Sequence, residues 1–135
     1  GTLIVGYNTT FQRSSDLGRQ MNQVFVGIPF GILRRKLKYL CEMNGIRYVE
    51  QEESYTSMAS FWDLDEMPVY GEAGLVPPVF SGRRICRGLY QDRSGRRINA
   101  DVNGALNIMR KCNIVSLRAL YDRGDVDTPV RIRIA

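Results

Sequence analysis

One carboxylate at the start of an apolar-striped helix is the group in this sequence best placed to do chemistry. Asn99 can cap the helix, and Asp101 then falls in its first turn. Apolar and small side chains follow at the spacing of a buried helical face: Val102, Ala105, Leu106, Met109 and Cys112. A carboxylate on so rigid an element can bind a metal ion, or it can only complement the helix dipole, which contributes about 0.3–1 kcal/mol.

Residues 50–57 (EQEESYTS) lie upstream of that helix and precede a long irregular stretch and a hairpin. In that order the pieces resemble the C-terminal half of the RuvC-like nuclease domain of the TnpB family, the transposon-encoded relatives of type V CRISPR effectors. The last catalytic motif of that family reads Asp-x-Asn-(small)-(small)-x-Asn-Ile, and residues 101–108 (DVNGALNI) fit it at every defined position. Residues 55–57 resemble the family's step after a strand, and residues 22–25 and 28–30 resemble the segment that leads into its long helix.

The resemblance implies an α/β fold, a partial ribonuclease-H-like (RuvC) fold with an irregular segment and a β-hairpin in place of a zinc ribbon. Residues 1–135 would form one C-terminal portion of the nuclease domain, with the insertion at residues 54–98. The chain opens on a strand-like run at residues 2–7, and for a central strand this predicts neighbours outside the sequence. The N-terminal remainder of the nuclease is therefore an expected partner.

Hydrophobic patterns place a helix and a strand after the first strand. Residues 28–44 carry apolar side chains at helical spacing and close at Asn44-Gly45, which predicts a helix with a basic, solvated face. Residues 46–51 predict a strand that ends in acidic residues. We expect that strand to lie beside residues 3–7.

Turn-forming residues dominate the stretch before the Asp101 helix. Residues 54–82 carry several Pro and Gly, and they predict an irregular excursion long enough to be suspected of function. Residues 84–90 and 96–98 flank the turn signal at residues 92–95 and predict a hairpin.

Hydrolysis of phosphodiesters with two divalent ions requires several oxygen ligands, and carboxylates supply them. The resembled family uses three acidic residues: an Asp on its first strand, a Glu on a later strand and the Asp of the final helix. The resemblance places the third at Asp101, whereas the first would lie outside this sequence. The second is expected directly after residues 3–5, where this chain has Gly6. This departure either removes the site or means that the acid has moved.

A relocated acid is expected at the end of the strand formed by residues 46–51. Glu52 and Glu53 occupy that end, and strand alternation sends neighbouring side chains to opposite faces. We favour Glu53, which abuts the Ser54-Tyr55-Thr56 step, as the second metal ligand, with Glu52 as the other candidate. The alternative is that these acids form a solvated run at a strand end. The predicted metal is Mg²⁺ or Mn²⁺, and the absence of histidine from the sequence excludes a His-metal site.

The resembled family holds a four-cysteine zinc ribbon between the Thr-Ser step and the final Asp. In register with that step, the corresponding positions are Ser60, Asp63, Gln91 and Ser94. The three cysteines of the chain lie far apart and form no Cys-x-x-Cys pair: Cys41, Cys86 and Cys112. No structural zinc is expected.

The charge of the chain favours nucleic acid as a partner. The formal net charge is +5, and the basic residues are sixteen Arg and three Lys, a balance that suits bidentate phosphate contact. Six arginines cluster just before the Asp101 helix: Arg83, Arg84, Arg87, Arg93, Arg96 and Arg97. Among them we predict Arg84, Arg87, Arg96 and Arg97 as nucleic-acid-binding residues. Some of these side chains can instead cover the hairpin or pair with nearby acids.

No apolar run approaches the about 20 residues that span a bilayer. The first residues also lack the positive start and cleavage site of a signal peptide. These observations predict a cytoplasmic protein without a membrane partner.

The leading interpretation is the C-terminal RuvC-like part of a TnpB-type, Mg²⁺-dependent DNA endonuclease that uses a guide RNA, so that DNA and RNA are its partners. This portion alone is expected to be inactive. The alternative is a nuclease-dead relative that binds guide RNA or DNA as a regulator. A third possibility is an interaction module without enzymatic activity.

Overall fold

The computed structural model describes residues 1–8, 30–69 and 78–123. Its strands are β1 (Thr2–Tyr7), β2 (Arg47–Glu52), β3 (Arg83–Cys86), β4 (Leu89–Gln91) and β5 (Arg97–Asn99). Its helices are α1 (Phe30–Met43), α2 (Ala100–Cys112) and α3 (Arg118–Arg123). Internal contacts divide the chain into two compact units, Gly1–Glu52 and Glu53–Ala135. The mixture of helices with small sheets confirms the predicted α/β class.

The first unit is a strand, a helix and a second strand. β1 and β2 lie side by side, as predicted, and they pair in parallel, with Thr2 opposite Arg47 and Tyr7 opposite Glu52. The predicted helix is confirmed as α1, although residues 28 and 29 lie outside the described part of the chain. The chain leaves α1 through Gly45, whose φ of +63° suits glycine at a helix end.

The second unit begins with an irregular segment, as predicted. Residues 53–69 form successive turns without a helix or strand, and residues 70–77 of the predicted excursion lie outside the described residues. Two bulky side chains in this segment take left-handed backbone, Tyr55 at φ +63° and Leu64 at φ +57°. Such values are uncommon for residues other than glycine, so the surrounding contacts must impose them.

A three-stranded antiparallel sheet of order β3-β4-β5 follows. The prediction of one strand over residues 84–90 was wrong, because the chain reverses at Arg87 and Gly88 and splits that run into β3 and β4. Gly88 has a φ of +83°, which only glycine adopts readily, and it makes this turn possible. The predicted turn at residues 92–95 is confirmed and joins β4 to β5, with Gly95 at φ +89°.

The core of the second unit lies between this sheet, α2 and the irregular segment. Its buried apolar side chains are Phe61, Tyr90, Ile98, Ala100, Leu106 and Leu117. The Phe61 ring stacks on Tyr121 with centroids 4.8 Å apart and meets the Trp62 ring edge-on at 5.2 Å. The aromatic residues of the irregular segment therefore anchor it to the rest of the unit.

The buried face of α2 differs from the predicted one. Leu106 is buried as expected, but Ala105 is exposed, and two asparagines, Asn103 and Asn107, are completely buried. Val102 and Met109 are only partly buried against the core. Hydrophobic spacing located the helix but not its buried face, because polar side chains that bond to the backbone of another segment carry no hydrophobic signal.

No helix in the described part of the chain is long and apolar enough to cross a membrane.

Candidate nucleic-acid interface and the Asp101 helix

The start of α2 is fixed by the predicted cap. The Asn99 Oδ1 atom accepts the backbone N–H groups of Asp101 and Val102, at 2.9 and 3.1 Å. Asp101 lies in the first turn and its side chain is exposed to solvent. The helix therefore holds Asp101 on a rigid, capped terminus.

The two candidate glutamates fall on either side of the boundary between the units. Glu52 is the last residue of β2, and Glu53 begins the second unit, which also contains Asp101. The Glu53 carbonyl oxygen accepts the Thr56 backbone N–H at 3.2 Å and the Thr56 hydroxyl at 2.9 Å. Gly6 lies in β1 opposite Gln51 of β2.

The carboxylates of the described residues do not form a metal site by themselves. Among residues 1–8, 30–69 and 78–123, no group of three or more acidic or cysteine side chains could hold a metal ion. The assignment of Asp101 and of Glu53 or Glu52 as ligands stays a prediction.

Asn103 and Asn107 attach the irregular segment to the helix that carries Asp101. Asn103 accepts the Phe61 backbone N–H at 3.1 Å and donates to the Ala59 carbonyl at 2.9 Å. Asn107 donates to the carbonyls of Thr56 and Ala59 at 2.9 and 2.8 Å. These four hydrogen bonds, which we call the asparagine clasp, give backbone groups of a segment without regular structure the partners that a sheet or helix would provide.

Sequence reasoning missed the asparagine clasp. Its signal was the spacing of four between Asn103 and Asn107, which places both side chains on the face of Leu106.

Asp65 is the second anchor of the irregular segment. Its carboxylate accepts the backbone N–H groups of Ser60 and Ser81 at 2.8 and 2.9 Å and the Ser81 hydroxyl at 2.6 Å. Burial raises the pKa of Asp65, but the hydrogen bonds from Ser81 and Ser60 and the charge of Arg110 outweigh it and hold the pKa below its ordinary value of 3.8. Asp65 thus joins the two ends of the predicted excursion as an ionised group.

The four positions that correspond to the zinc ribbon lie in or directly beside two hydrogen-bonded turns. The Ser60 hydroxyl accepts the Asp63 backbone N–H at 3.3 Å, and Gln91 donates through its side-chain amide to the Gly95 carbonyl at 3.0 Å. The Ser94 hydroxyl donates to the Asp92 carboxylate at 2.8 Å within the second turn. A further bond joins the turns directly, from the Arg93 backbone N–H to Asp63 Oδ2 at 3.0 Å.

Strand register separates the clustered arginines into two faces. Arg83 lies opposite Gln91, which lies opposite Arg97, and residues paired in this way share a face of the sheet. Arg84 is in line with Tyr90 and Ile98, both of which are buried in the core. We call the row of Arg83, Gln91 and Arg97 the basic strip, and both of its arginines are exposed.

Of the four predicted binding residues, three are exposed and one packs against an aromatic ring. Arg97 belongs to the basic strip, Arg87 lies in the turn between β3 and β4, and Arg84 lies on the edge strand β3. The Arg96 guanidinium lies over the Trp62 ring, 3.8 Å from its centroid. Arg96 therefore packs its guanidinium on an aromatic ring of the irregular segment rather than covering the hairpin.

A groove of about 460 Å³ adjoins the basic strip. It is lined by Phe80, Ser81, Gly82, Arg83, Gln91, Asp92, Arg93 and Gly95. The Arg93 side chain is fixed at this groove because it donates to the Ser81 hydroxyl at 2.8 Å. Two arginines, Arg83 and Arg93, thus line a polar recess next to Arg97, an arrangement that suits the phosphates of a nucleic-acid backbone.

A family model described as Cas12f1-like, TNB domain matches residues 30–108, more than half of the 135 residues. The chain belongs to the Cas12f1-like TNB domain family. The match runs from the start of α1 to Ile108 in α2, so it includes Asp101, both candidate glutamates and the clustered arginines. It confirms the resemblance at the level of a relative of TnpB and Cas12-type proteins. No curated protein and no solved structure matches the chain significantly.

Proposed function

We propose that this Cas12f1-like chain is the C-terminal RuvC-like part of a transposon-associated, RNA-guided DNA endonuclease. The observation that carries the proposal is an exposed carboxylate, Asp101, on the capped start of α2, in the same unit as the basic strip. Family membership supports the nuclease context, and residues 101–108 supply the motif. DNA and guide RNA are the proposed partners, together with the N-terminal remainder of the nuclease.

The proposed metal is Mg²⁺ or Mn²⁺, which when bound would activate water and stabilise the leaving oxygen. Carboxylates are the ligands that these ions prefer, so the chemistry of Asp101 and of Glu53 or Glu52 suits them. The spatial arrangement of the acids fits a metal ion less well than their chemistry does, because the described residues bring no three acidic side chains together. Asp101 is therefore proposed as one ligand of a set that these residues do not complete, and no catalytic step is assigned to the metal.

The basic strip and the adjoining groove are the proposed contact with nucleic-acid backbone. Arg83 and Arg97 project from one face of the sheet, with Arg93 at the groove beside them. Guanidinium groups bind phosphates with paired hydrogen bonds and release counterions when they do so. Arg84 and Arg87, both exposed, extend the proposed contact to the edge of the sheet.

Substitution of Asp101 tests the catalytic part of the proposal. In the intact protein, Asp101→Asn is expected to abolish metal-dependent DNA cleavage while the melting temperature and the affinity for nucleic acid stay unchanged, because an exposed acid contributes little to the core. Glu66→Gln is the matched control, since it removes another exposed acid of the same unit. Cleavage retained by Asp101→Asn would discard the catalytic assignment.

Substitution of the arginines tests the binding surface. Replacing Arg84, Arg87, Arg96 and Arg97 together by Gln is expected to weaken nucleic-acid binding and to flatten its dependence on salt. The slope of log K against log salt should fall by about 0.7–0.9 for each phosphate that the variant no longer neutralises. A folded variant with unchanged affinity and slope would move the binding surface elsewhere.

The register of the sheet refines that experiment. The pair Arg83→Gln and Arg97→Gln should reduce the slope by itself, whereas Arg118→Gln, an exposed arginine on α3, should leave it unchanged. Arg96→Gln should act mainly on stability, because its guanidinium packs on Trp62.

A nuclease-dead, nucleic-acid-binding regulator is the second candidate. Gly6 favours this candidate, because the resembled family carries its second acid at this position. The residue opposite Gly6 on β2 is Gln51, which is not an acid either. Salt-sensitive nucleic-acid binding without cleavage in Mg²⁺ or Mn²⁺ would support this candidate over the nuclease. An interaction module would show neither.

A further inference from the structure

The asparagine clasp has a composition that stability alone does not explain. Asn103 and Asn107 are each 0% exposed, so their amides lie wholly inside the second unit. Asn103 uses both its oxygen and its nitrogen in hydrogen bonds. Asn107 donates two hydrogen bonds through its nitrogen, but its Oδ1 atom is buried without a partner among the described residues.

An unpaired buried oxygen destabilises a folded protein, and the great majority of buried polar atoms are paired. An apolar side chain of similar size at position 107 would avoid that penalty. The amide of Asn107 therefore has a use that offsets the unpaired oxygen, and its two donated hydrogen bonds show where that use lies.

The Asn107 bonds reach the Glu53 turn through one intermediate residue. Asn107 donates to the Thr56 carbonyl, and Thr56 donates through both its backbone N–H and its hydroxyl to the Glu53 carbonyl. Tyr55 lies between Glu53 and Thr56 in the chain, and its φ of +63° belongs to the left-handed region that residues other than glycine rarely adopt. The hydrogen bonds on either side of Tyr55 are thus in position to maintain this backbone conformation.

The same side chain stands on the helix that begins with Asp101. Asn107 lies six residues further along α2, a helix whose start is fixed by the Asn99 cap. The hydrogen bond from Asn107 to Thr56 and the two from Thr56 to Glu53 therefore connect the backbone of Glu53 to the helix that carries Asp101.

We infer that Asn107 is a positioning residue, which holds the turn of residues 53–56 in one conformation relative to α2. It thereby keeps the backbone of Glu53 at a fixed position relative to Asp101. This inference rests on the proposed nuclease function, because that relation matters for cleavage. Asn103 has a different task. It satisfies the Phe61 backbone N–H in the core and thereby supports the fold of the whole unit.

Asn107→Leu in the intact protein tests the inference, because leucine has a similarly branched side chain but no amide. Amide hydrogen exchange should accelerate about tenfold or more at Thr56, Met58 and Ala59, whose N–H groups bond within this turn, with β4 and β5 unaffected. The melting temperature should change little, because the variant removes the unpaired buried Oδ1 atom together with the two donated hydrogen bonds, and the Ala59 carbonyl keeps its bond from Asn103. Should this variant fail to fold, the same measurements are made on Asn107→Ser.

Asn103→Leu is the matched control for a purely structural role. It removes a buried amide of equal exposure four residues away, but it leaves the Phe61 N–H in the core without its partner. We expect a lower melting temperature and faster exchange throughout the second unit, rather than a change confined to residues 53–59.

Cleavage and binding separate a positioning role from a structural one. Asn107→Leu should lower the cleavage rate roughly 100-fold, as a displaced catalytic group does, while the Kd for nucleic acid and the melting temperature are retained. Unchanged exchange would overturn the inference, and so would faster exchange with wild-type cleavage. If the wild-type protein binds nucleic acid but does not cleave it, the proposed nuclease function fails and the role in cleavage falls with it, whereas the exchange result still decides whether the clasp holds the turn.

Discussion

The two units of the chain are stabilised in different ways. In the first unit the described residues form a parallel strand pair and a helix, and Cys41 is the buried apolar side chain among them. Apolar residues of α1 remain exposed, with Ile32 at 56% and Met43 at 66%. The second unit has little regular structure before its sheet, yet it encloses an aromatic core, the asparagine clasp and the Asp65 anchor.

The difference teaches where stability comes from in each unit. Backbone hydrogen bonds between strands and within a helix define the first unit, and its described side chains add a surface ion pair between Arg34 and Glu50 and the buried Cys41. In the second unit, side chains bond to the backbone of an irregular segment and take the place of such ladders. Core substitutions should therefore be costly in the second unit and mild in the first.

The largest expected effect is on the aromatic core. Phe61 is 0% exposed and stacks on Tyr121, so Phe61→Ala should lower the free energy of unfolding by about 3–5 kcal/mol. Ile32→Ala, on the exposed side of α1, should lower it by less than about 1 kcal/mol. Denaturant unfolding of both variants measures the two changes. Equal changes would remove the distinction between the units.

A close backbone approach gives the next effect. A β-carbon added at Gly82 would lie 2.6 Å from both the Gln91 carbonyl oxygen and the Tyr90 ring, so Gly82→Ala should destabilise by about 1–3 kcal/mol. Gly104 lies inside α2 with no atom within 4 Å of an added β-carbon. Gly104→Ala should therefore have the opposite sign and stabilise the protein by about 0.5–1 kcal/mol, as thermal unfolding would show. A destabilised Gly104→Ala variant would contradict the open environment of this helix position.

Acid should act on the second unit through Asp65. Its folded-state pKa lies below 3.8, so its ionised form stabilises the protein fully above that value and loses this contribution as the pH falls through the folded-state pKa. Asp65→Asn should cost about 1–3 kcal/mol at neutral pH, because the hydrogen bonds no longer have a charged acceptor, and should flatten the acid side of the stability profile. Unfolding measured from pH 7 to pH 2 tests this, and an unaltered acid limb would contradict it.

Alkaline pH should lower the stability of both units, in contrast to acid. Burial and the bond to Glu50 raise the pKa of Tyr48 to about 12, and burial and nearby carboxylates do the same for the pKa of Tyr90. A raised folded-state pKa means that stability is complete below the ordinary value of 10.0 and is lost as the pH rises toward about 12 in both units.

The smallest effect concerns an ion pair at the surface of the first unit. Arg34 and Glu50 approach to 3.4 Å with 28% and 38% of their side chains exposed. Glu50→Gln is the same type of change as Asp65→Asn, but it should cost only about 0.2–1 kcal/mol and less at high salt, because solvent screens the pair. Thermal unfolding at two salt concentrations measures it. A cost equal to that of Asp65→Asn would contradict the difference between the units.

Hydrophobic period and turn chemistry predicted the regular elements. Strands β1 and β2, helix α1 and the Asn99 cap all follow from local sequence, because each depends on neighbouring residues. The reversal at Gly88 was missed, since the apolar and basic residues around it also fit one continuous strand.

The candidate site was predicted only in part. The place of Asp101 in the first turn of α2 was predicted because it depends on the local cap, and its role as a ligand rests on the resembled motif and stays a prediction. The arginine cluster was recognised because it is contiguous in sequence. The choice between Arg83 and Arg84 as the partner of Arg97 depends on strand register, which the sequence did not reveal. The asparagine clasp depends on the backbone path of residues 56–61, and that path is irregular, so hydrophobic periodicity does not predict it.

Trp62 gives the chain a built-in optical reporter. It is the one tryptophan in the sequence, and it lies edge-on to the Tyr121 ring at 5.2 Å and beneath the Arg96 guanidinium. When tryptophan is excited selectively, the emission therefore reports on the second unit and does not report directly on changes in the first. A ligand that draws Arg96 away from the indole would alter the fluorescence intensity without any label. A fluorescence titration can therefore follow ligand binding at Arg96, and the same signal follows unfolding of the core of the second unit.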